Sequence, residues 1–393
     1  MVPELYGFLI GIVAGLIPGV HPNTFASLML GASAVFIPYF ESHEIALIIF
    51  ISSVVYSVVN IIPAVFIGVP DEDTAIAVFP AHRLVLSGEG MKAISISAVS
   101  SFLSAVLSLP VFYAILLSGD VIKELDPFVP FVLVGVAIYL ILLEDDPFGG
   151  SMAGWRKRSY GAMVFILSGV LGLISMKWLS DSDVSILFPL LSGLFGFPTL
   201  IAGMTSERIP DQSEEMDVPD VRSVLRGVGS GLFVSLFPGI SSGVATALSV
   251  GKGDDEKRYI SSVSSANTAN TIMNFAILIS AGKIRSGVAQ AFSFFASPEK
   301  FLYLPFIGAA SAFAALAFTL LFSFPVSRIF QSLNPAVISK AVLILLIVSI
   351  FITNGFEGIG VFGVAGMIGM MTLYFRVRRI HCMGSIMLPA ILY

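Results

Sequence analysis

Two stretches of this chain place Pro-Gly at the end of an apolar run and polar side chains just after it. The first reads Gly11-Ile-Val-Ala-Gly-Leu-Ile-Pro18-Gly19-Val20-His21-Pro22-Asn23-Thr24; the second reads Gly231-Leu-Phe-Val-Ser-Leu-Phe-Pro238-Gly239-Ile240-Ser241-Ser242-Gly243. Proline has no amide proton and glycine accepts dihedrals that other residues avoid, so a helix stops at each pair. A helix restarting near Pro22 or Ser241 leaves unpaired N–H groups and the positive end of its dipole at the break. That is anion-binding chemistry. The candidate substrate residues are Gly19, His21, Asn23, Thr24, Gly239, Ser241, Ser242 and Gly243.

Further polar residues follow each break. Ser52, Ser53, Tyr56, Ser57 and Asn60 come after the first; a run from Ser261 to Asn274 comes after the second. Asn267, Asn270 and Asn274 share one helical face. An amide is expensive in hydrocarbon, so that face should line a cavity or a polar helix contact. Single Ser and Thr residues read more simply as interhelical glue. Asn60, Thr74, Asn267, Asn270 and Asn274 are the candidate pathway-lining residues. Asp71 and Asp73, in Pro70-Asp71-Glu72-Asp73-Thr74, are candidates for ion coupling, although a solvated loop end explains such a run equally well. His21 and His82 are candidate proton carriers.

The elements that position these residues are apolar. Of 393 residues 56% are hydrophobic and 12% charged, against roughly 25% charged in a soluble domain. The mean hydropathy is +0.94. This is the composition of an all-α integral membrane protein, and the cell membrane is the expected location. Runs near 44–67, 91–118, 127–144, 159–176, 183–203, 258–281, 301–324, 336–353 and 358–375 are long enough to span. Shorter interrupted runs at 3–17 with 23–38, 74–87, 227–238 with 241–250, 286–297 and 383–393 read as re-entrant hairpins or half-helices.

Lys and Arg in short loops set the orientation. Arg156–Arg158, Arg222, Arg226, Lys257, Arg258, Arg328 and Arg376–Arg379 can all be cytoplasmic together, with the N-terminus outside. The first half then crosses five times, and an odd number inverts the second half. An offset of 220 residues aligns Gly11, Pro18 and Gly19 with Gly231, Pro238 and Gly239; an offset of 194 aligns Gly169 and Gly172 with Gly363 and Gly366. The expected organisation is membrane repeat 1 (1–204), a polar cytoplasmic linker (205–226) and membrane repeat 2 (227–393), the repeats having inverted topology. Rocking of one half against the other would give alternating access.

Several classes are disfavoured. One cysteine permits no internal disulfide or thiolate cluster, and no HExxH, CxxC or Walker-type loop occurs. No nucleophile–base pair is visible, so no enzyme, metal or cofactor is expected beyond Na⁺ or H⁺ as coupling ion. The net charge of −5 gives no reason to expect nucleic acid. The partners expected are membrane lipid, a small anionic substrate and a second copy in a homo-oligomer.

The ordered motifs resemble the large membrane subunit of the tripartite tricarboxylate transporters, the TctA family. The match runs through Gly11 to Gly19, Asn60-Ile-Ile-Pro63, Thr74-Ala75, Pro80-Ala81, Gly88-Glu89-Gly90, Gly193 to Gly196 and the second Pro-Gly break. It departs at Ala77-Val78 and at Val20-His21-Pro22-Asn23, which marks a compact, diverged branch. The resemblance implies secondary, ion-driven symport of a di- or tricarboxylate, with a small membrane subunit and an extracytoplasmic binding protein. The segment from Pro238 to Gly243 is also similar to polyprenyl-phosphate translocases, which supplies the alternative function; neither tip carries the basic residue that a lipid phosphate would favour.

Overall fold

The computed structural model describes residues 2–17, 38–67, 78–144, 150–178, 186–204, 210–237, 240–249, 255–295, 301–332 and 334–392, with no strand among them. The first helices are α1 (Val2–Leu16), α2 (Ser42–Val59), α3 (Ile61–Ile67), α4 (Val78–Leu86), α5 (Gly90–Leu117) and α6 (Gly119–Glu124). A 3-10 turn (Asp126–Phe128) leads into α7 (Val129–Leu142), α8 (Gly150–Trp178) and α9 (Leu187–Leu191), and a π turn (Ser192–Gly196) joins α9 to α10 (Phe197–Gly203). Then come α11 (Val221–Leu236), α12 (Ser242–Ser249), α13 (Glu256–Ala281), α14 (Gly287–Phe295), α15 (Leu304–Ser332) and α16 (Pro335–Phe375). A 3-10 turn (Arg379–Met383) and α17 (Gly384–Leu392) complete the chain. Asp220, Asp255 and Asn334 cap α11, α13 and α16 by accepting a backbone N–H from Arg222, Arg258 and Ala336.

Six of the described helical segments are long and apolar enough to cross a membrane: Ser42–Phe66, Gly90–Leu117, Gly119–Leu142, Met152–Lys177, Leu304–Ile329 and Ser339–Phe375. Two sequence expectations come out differently. The 183–203 run is described only as the shorter Leu187–Gly203 segment with its π turn. The 258–281 run is a 26-residue helix, α13, but too polar to be a lipid-facing span. Its hydroxyls and amides are sheltered because α13 packs against α2, α5, α11 and α12.

At 41 residues α16 would extend about 60 Å, twice the hydrocarbon thickness of about 30 Å. It turns at Gly355, whose φ of 60° and ψ of −152° lie where only glycine settles. Gly203 faces Ser339 and Gly196 faces Leu346, whereas Gly193 faces Phe362 and Gly369 faces Pro198. The halves of α16, 335–354 and 356–375, therefore run antiparallel past α9 and α10.

Backbone-close packing recurs at two places. A Cβ on Gly11 would lie 2.7 Å from both the Ser52 carbonyl and Val55 Cβ; one on Gly231 would lie 2.7 Å from both the Ala266 carbonyl and Ala269 Cβ. Gly7 meets Ile51 Cβ and the Ile48 carbonyl, as Gly227 meets Ser265 Cβ and the Ser262 carbonyl. Both pairs, α1 with α2 and α11 with α13, are parallel. They run in opposite directions, because α2 crosses α13 antiparallel: Phe50 packs edge-on to Phe275 at 4.8 Å while the Ser57 and Thr268 hydroxyls meet at 3.1 Å. Later in the chain Gly172 abuts the Ser385 carbonyl, and Gly193 approaches Gly366.

Residues 210–220 lie extended across one end of the bundle. The Gln212 amide donates to the Val85 carbonyl and accepts from Gly90 N–H, and Ser213 N–H donates to the Gly88 carbonyl. Ion pairs add Lys92 to Glu215, Lys257 to Asp217, Arg258 to Asp220 and Arg328 to Glu214. Three of the basic residues expected on the cytoplasmic side, Lys257, Arg258 and Arg328, are thus gathered at one end.

Candidate functional site

The second break is framed by described helices. α11 ends at Leu236, and α12 returns beside it: the Ser230 hydroxyl donates to the Ala245 carbonyl and meets that of Ser249 at 3.0 Å. α12 begins at Ser242 because Ser241 caps it, its hydroxyl accepting from Val244 N–H at 3.3 Å. Ser241, Ser242 and Gly243 are buried. α12 also rests on α13, which carries the asparagines.

The three asparagines meet different surroundings. Asn270 Oδ1 accepts from the Ser235 hydroxyl at 3.0 Å, which ties the end of α11 to α13. Asn267 is buried, and its carbonyl accepts from Thr271. Asn274, one turn beyond Asn270, is 4% exposed, and its Oδ1 has no hydrogen-bond partner. A buried acceptor without a donor costs about 1–3 kcal/mol, and the buried hydroxyls of Ser223 and Thr246 on the neighbouring helices share that state. Because α11 and α13 are parallel, Asn274 sits level with the end of α11. Asn60 occupies the matching place on the other pair: it caps α2, is buried, and its backbone N lies 3.3 Å from a Cβ built on Gly15.

Most of the serines have another role. On α5, Ser97 meets Ser264 at 2.7 Å and Ser100 donates to Ser261 at 2.9 Å; Ser101 and Ser104 donate to the Ser264 and Ser265 carbonyls. This ladder holds α5 to α13. Its spacing, Ser97, Ser100, Ser101 and Ser104, is a one-face helical stripe that sequence reasoning passed over.

A second buried polar group was also missed. Glu144 Oε1 accepts from Arg378 N–H at 2.9 Å and pairs with His381 Nε2 at 3.0 Å; Glu144 is 4% and His381 0% exposed. The His381 ring lies on Gly161, where a Cβ would come within 2.8 Å of Nε2. Burial raises the Glu144 carboxyl, but the His381 and Arg378 hydrogen bonds outweigh it and hold the group below its ordinary value. Cys382 is fully buried next door.

Of the remaining candidates, Gly19, His21, Asn23, Thr24, Asp71, Asp73, Thr74 and Gly239 lie outside the described residues, and His82 falls within α4.

No solved structure matches the chain. A protein of Methanocaldococcus jannaschii, described only as uncharacterised, is 29% identical over 299 residues, covering 73% of this chain and 70% of its own length. The sequence profile of the tripartite tricarboxylate transporter TctA family matches residues 3–384. The chain belongs to the TctA family of tripartite tricarboxylate transporters and is a multi-pass membrane protein.

Proposed function

We propose that the protein is the ion-driven membrane carrier of an organic anion of the di- or tricarboxylate class, working by alternating access. The carrying observation is the second break. A capped, buried helix start at Ser241–Gly243 stands beside an asparagine face whose Asn274 oxygen lacks a partner. The anion would bind to backbone N–H groups after Gly19 and Gly239, aided by His21, Asn23, Thr24, Ser241, Ser242 and Gly243. Asn60, Thr74, Asn267, Asn270 and Asn274 would line its path. Na⁺ or H⁺ would supply the drive, with Asp71 and Asp73 as coupling candidates and helix-end carbonyls as further ligands.

The same reading makes the chain two inverted repeats, each with a re-entrant hairpin. The paired glycine contacts and their opposed directions support it. Membership in a tripartite family implies further subunits, and we assign the chain a small membrane subunit and an extracytoplasmic binding protein as partners.

The test is a thermal-shift screen of purified protein against citrate, succinate and a short-chain polyprenyl phosphate, with and without Na⁺, followed by uptake in proteoliposomes. Stabilisation by a carboxylate, lost in Ser242→Ala with Asn274→Ala, is expected. Stabilisation by the polyprenyl phosphate alone would replace this reading with lipid-carrier translocation.

A further inference from the structure

Alternating access leaves open which parts of the chain move, and the packing divides the helices in a way the sequence halves do not. One apolar core joins α1–α6 to α13–α15, with Phe50, Phe112 and Phe275 at its centre. A separate core joins α7–α9 to the second half of α16, the 379–383 turn and α17 through Leu133, Leu194, Ala365 and Met387. A small cluster around Leu200 and Leu346 adds α10 and the first half of α16 to that second body. Each body therefore draws matching elements from both halves of the chain.

Resting on the transport reading above, we propose that these two bodies, rather than the two sequence halves, are the rigid units of transport: the first holds the ligand and slides past the second. Three observations carry it. First, the glycine approaches and the serine ladder are internal. Gly7, Gly11, Gly227, Gly231 and Ser97–Ser104 act within the first body; Gly161, Gly172, Gly193 and Gly369 act within the second. Contacts that bring backbone against backbone resist sliding. Second, the asparagine face and Asn60 all lie in the first body. Third, the bodies meet through smooth apolar side chains at the second break. Val228, Leu232 and Leu236 of α11 belong with the first core, whereas Phe233, Val234, Phe237, Ile240 and Val244 pack on the second. An apolar seam is what a shear motion needs. The chain passes from the first body to the second at the turn between α6 and α7, where Asp126 is held by Lys283 at 2.5 Å and Arg285 at 3.1 Å.

Four exposed positions form a test square. Leu86 and Ile284 lie on the first body at opposite ends of the bundle; Met152 and Phe356 lie on the second, also at opposite ends. They are 53%, 51%, 84% and 81% exposed. The native Cys382 is the only thiol, so Cys382→Ala gives a clean background. Spin-label pairs built by Cys substitution at these sites are read by pulsed EPR in nanodiscs, with and without Na⁺ and citrate. The expected result is two populations, differing by about 5 Å or more (one helical turn), for Leu86–Met152 and Ile284–Phe356. Leu86–Ile284 and Met152–Phe356 should each give one unchanged distance. The reverse pattern would establish rocking of the sequence halves and overturn the proposal. So would four single, condition-independent distances. Citrate binding is measured separately by thermal shift on the same samples. Failure of citrate to bind, with two populations across the bodies, removes the carboxylate reading and leaves the two-body reading standing.

Discussion

Two buried polar regions of this protein use opposite means. Between α5, α11 and α13 the polar groups are neutral: serines, threonines and asparagines that bond across helices. At the α7 end the polar groups are ionisable: Glu144 with His381 and Arg378. The neutral region is extensive, and each bond in it is weak. The charged knot is small, and its parts depend on each other, since removing one partner strands the rest in a low-dielectric site. The neutral region tolerates unsatisfied oxygens, on Ser223, Tyr259 and Asn274 among them, without burying a charge. Neutral groups can therefore be buried unpaired at modest cost, whereas the charge of Glu144 sits where complementary groups fix it.

The contrast can be broken most sharply at the knot. Glu144→Leu leaves His381 and the Arg378 N–H without their acceptor and should destabilise by about 3–5 kcal/mol, read as lost monodisperse protein on size exclusion. Next comes Gly231→Val in the neutral region. Its side chain has no room against the Ala266 carbonyl, so a cost of about 1–3 kcal/mol or more is expected, with Gly11→Val behaving alike in a thermal melt.

The response to pH should separate the regions again. The Glu144 carboxyl sits below its ordinary value of 4.5 in the folded protein. Its support is therefore complete above that value and is lost as pH falls through the lower folded value. The melting temperature of the native protein should drop on acidification below about 4.5 more steeply than that of Glu144→Gln. Parallel acid profiles would mean the knot contributes no such linkage.

Smaller effects belong to the neutral region. Asn274→Leu removes the partnerless oxygen and should leave stability unchanged or raise it by about 1 kcal/mol while uptake falls. Destabilisation together with normal uptake would make Asn274 a packing residue. Ser104→Ala should cost only about 0.6 kcal/mol and leave uptake intact.

Much of the scaffold was legible because it rests on local pattern. Apolar run lengths marked nine spans, of which seven fall in the six described spanning segments, and the gap between 336–353 and 358–375 anticipated the turn at Gly355. The short interrupted runs anticipated helices as brief as α4, α12, α14 and α17. Gly11 and Gly231 were visible as matched positions, but not what they touch. The serine ladder was harder to see, because a lone Ser97 or Ser104 in an apolar helix looks like filler until Ser264 and Ser265 stand opposite. Glu144 and His381 were illegible for a plainer reason: they are 237 residues apart, and no local rule joins them. The division into two bodies was hidden likewise, since it cuts across chain order.

The single-residue turn at Gly355 bears on how the protein is made. Between Lys340 and Arg376 the only charge is Glu357, two residues past the turn. A connection this short gives the translocation machinery no intermediate halt, so both halves of α16 must enter the bilayer together as a hairpin. Carrying Glu357 through the hydrocarbon is an early toll of a few kcal/mol, by analogy with about 2.5–3.5 for Asp, set against some forty mostly apolar residues that insert with it. Biogenesis of this region is thus a coupled event, and a truncation ending near residue 355 should leave a segment apolar enough to insert but without the antiparallel half it is joined to.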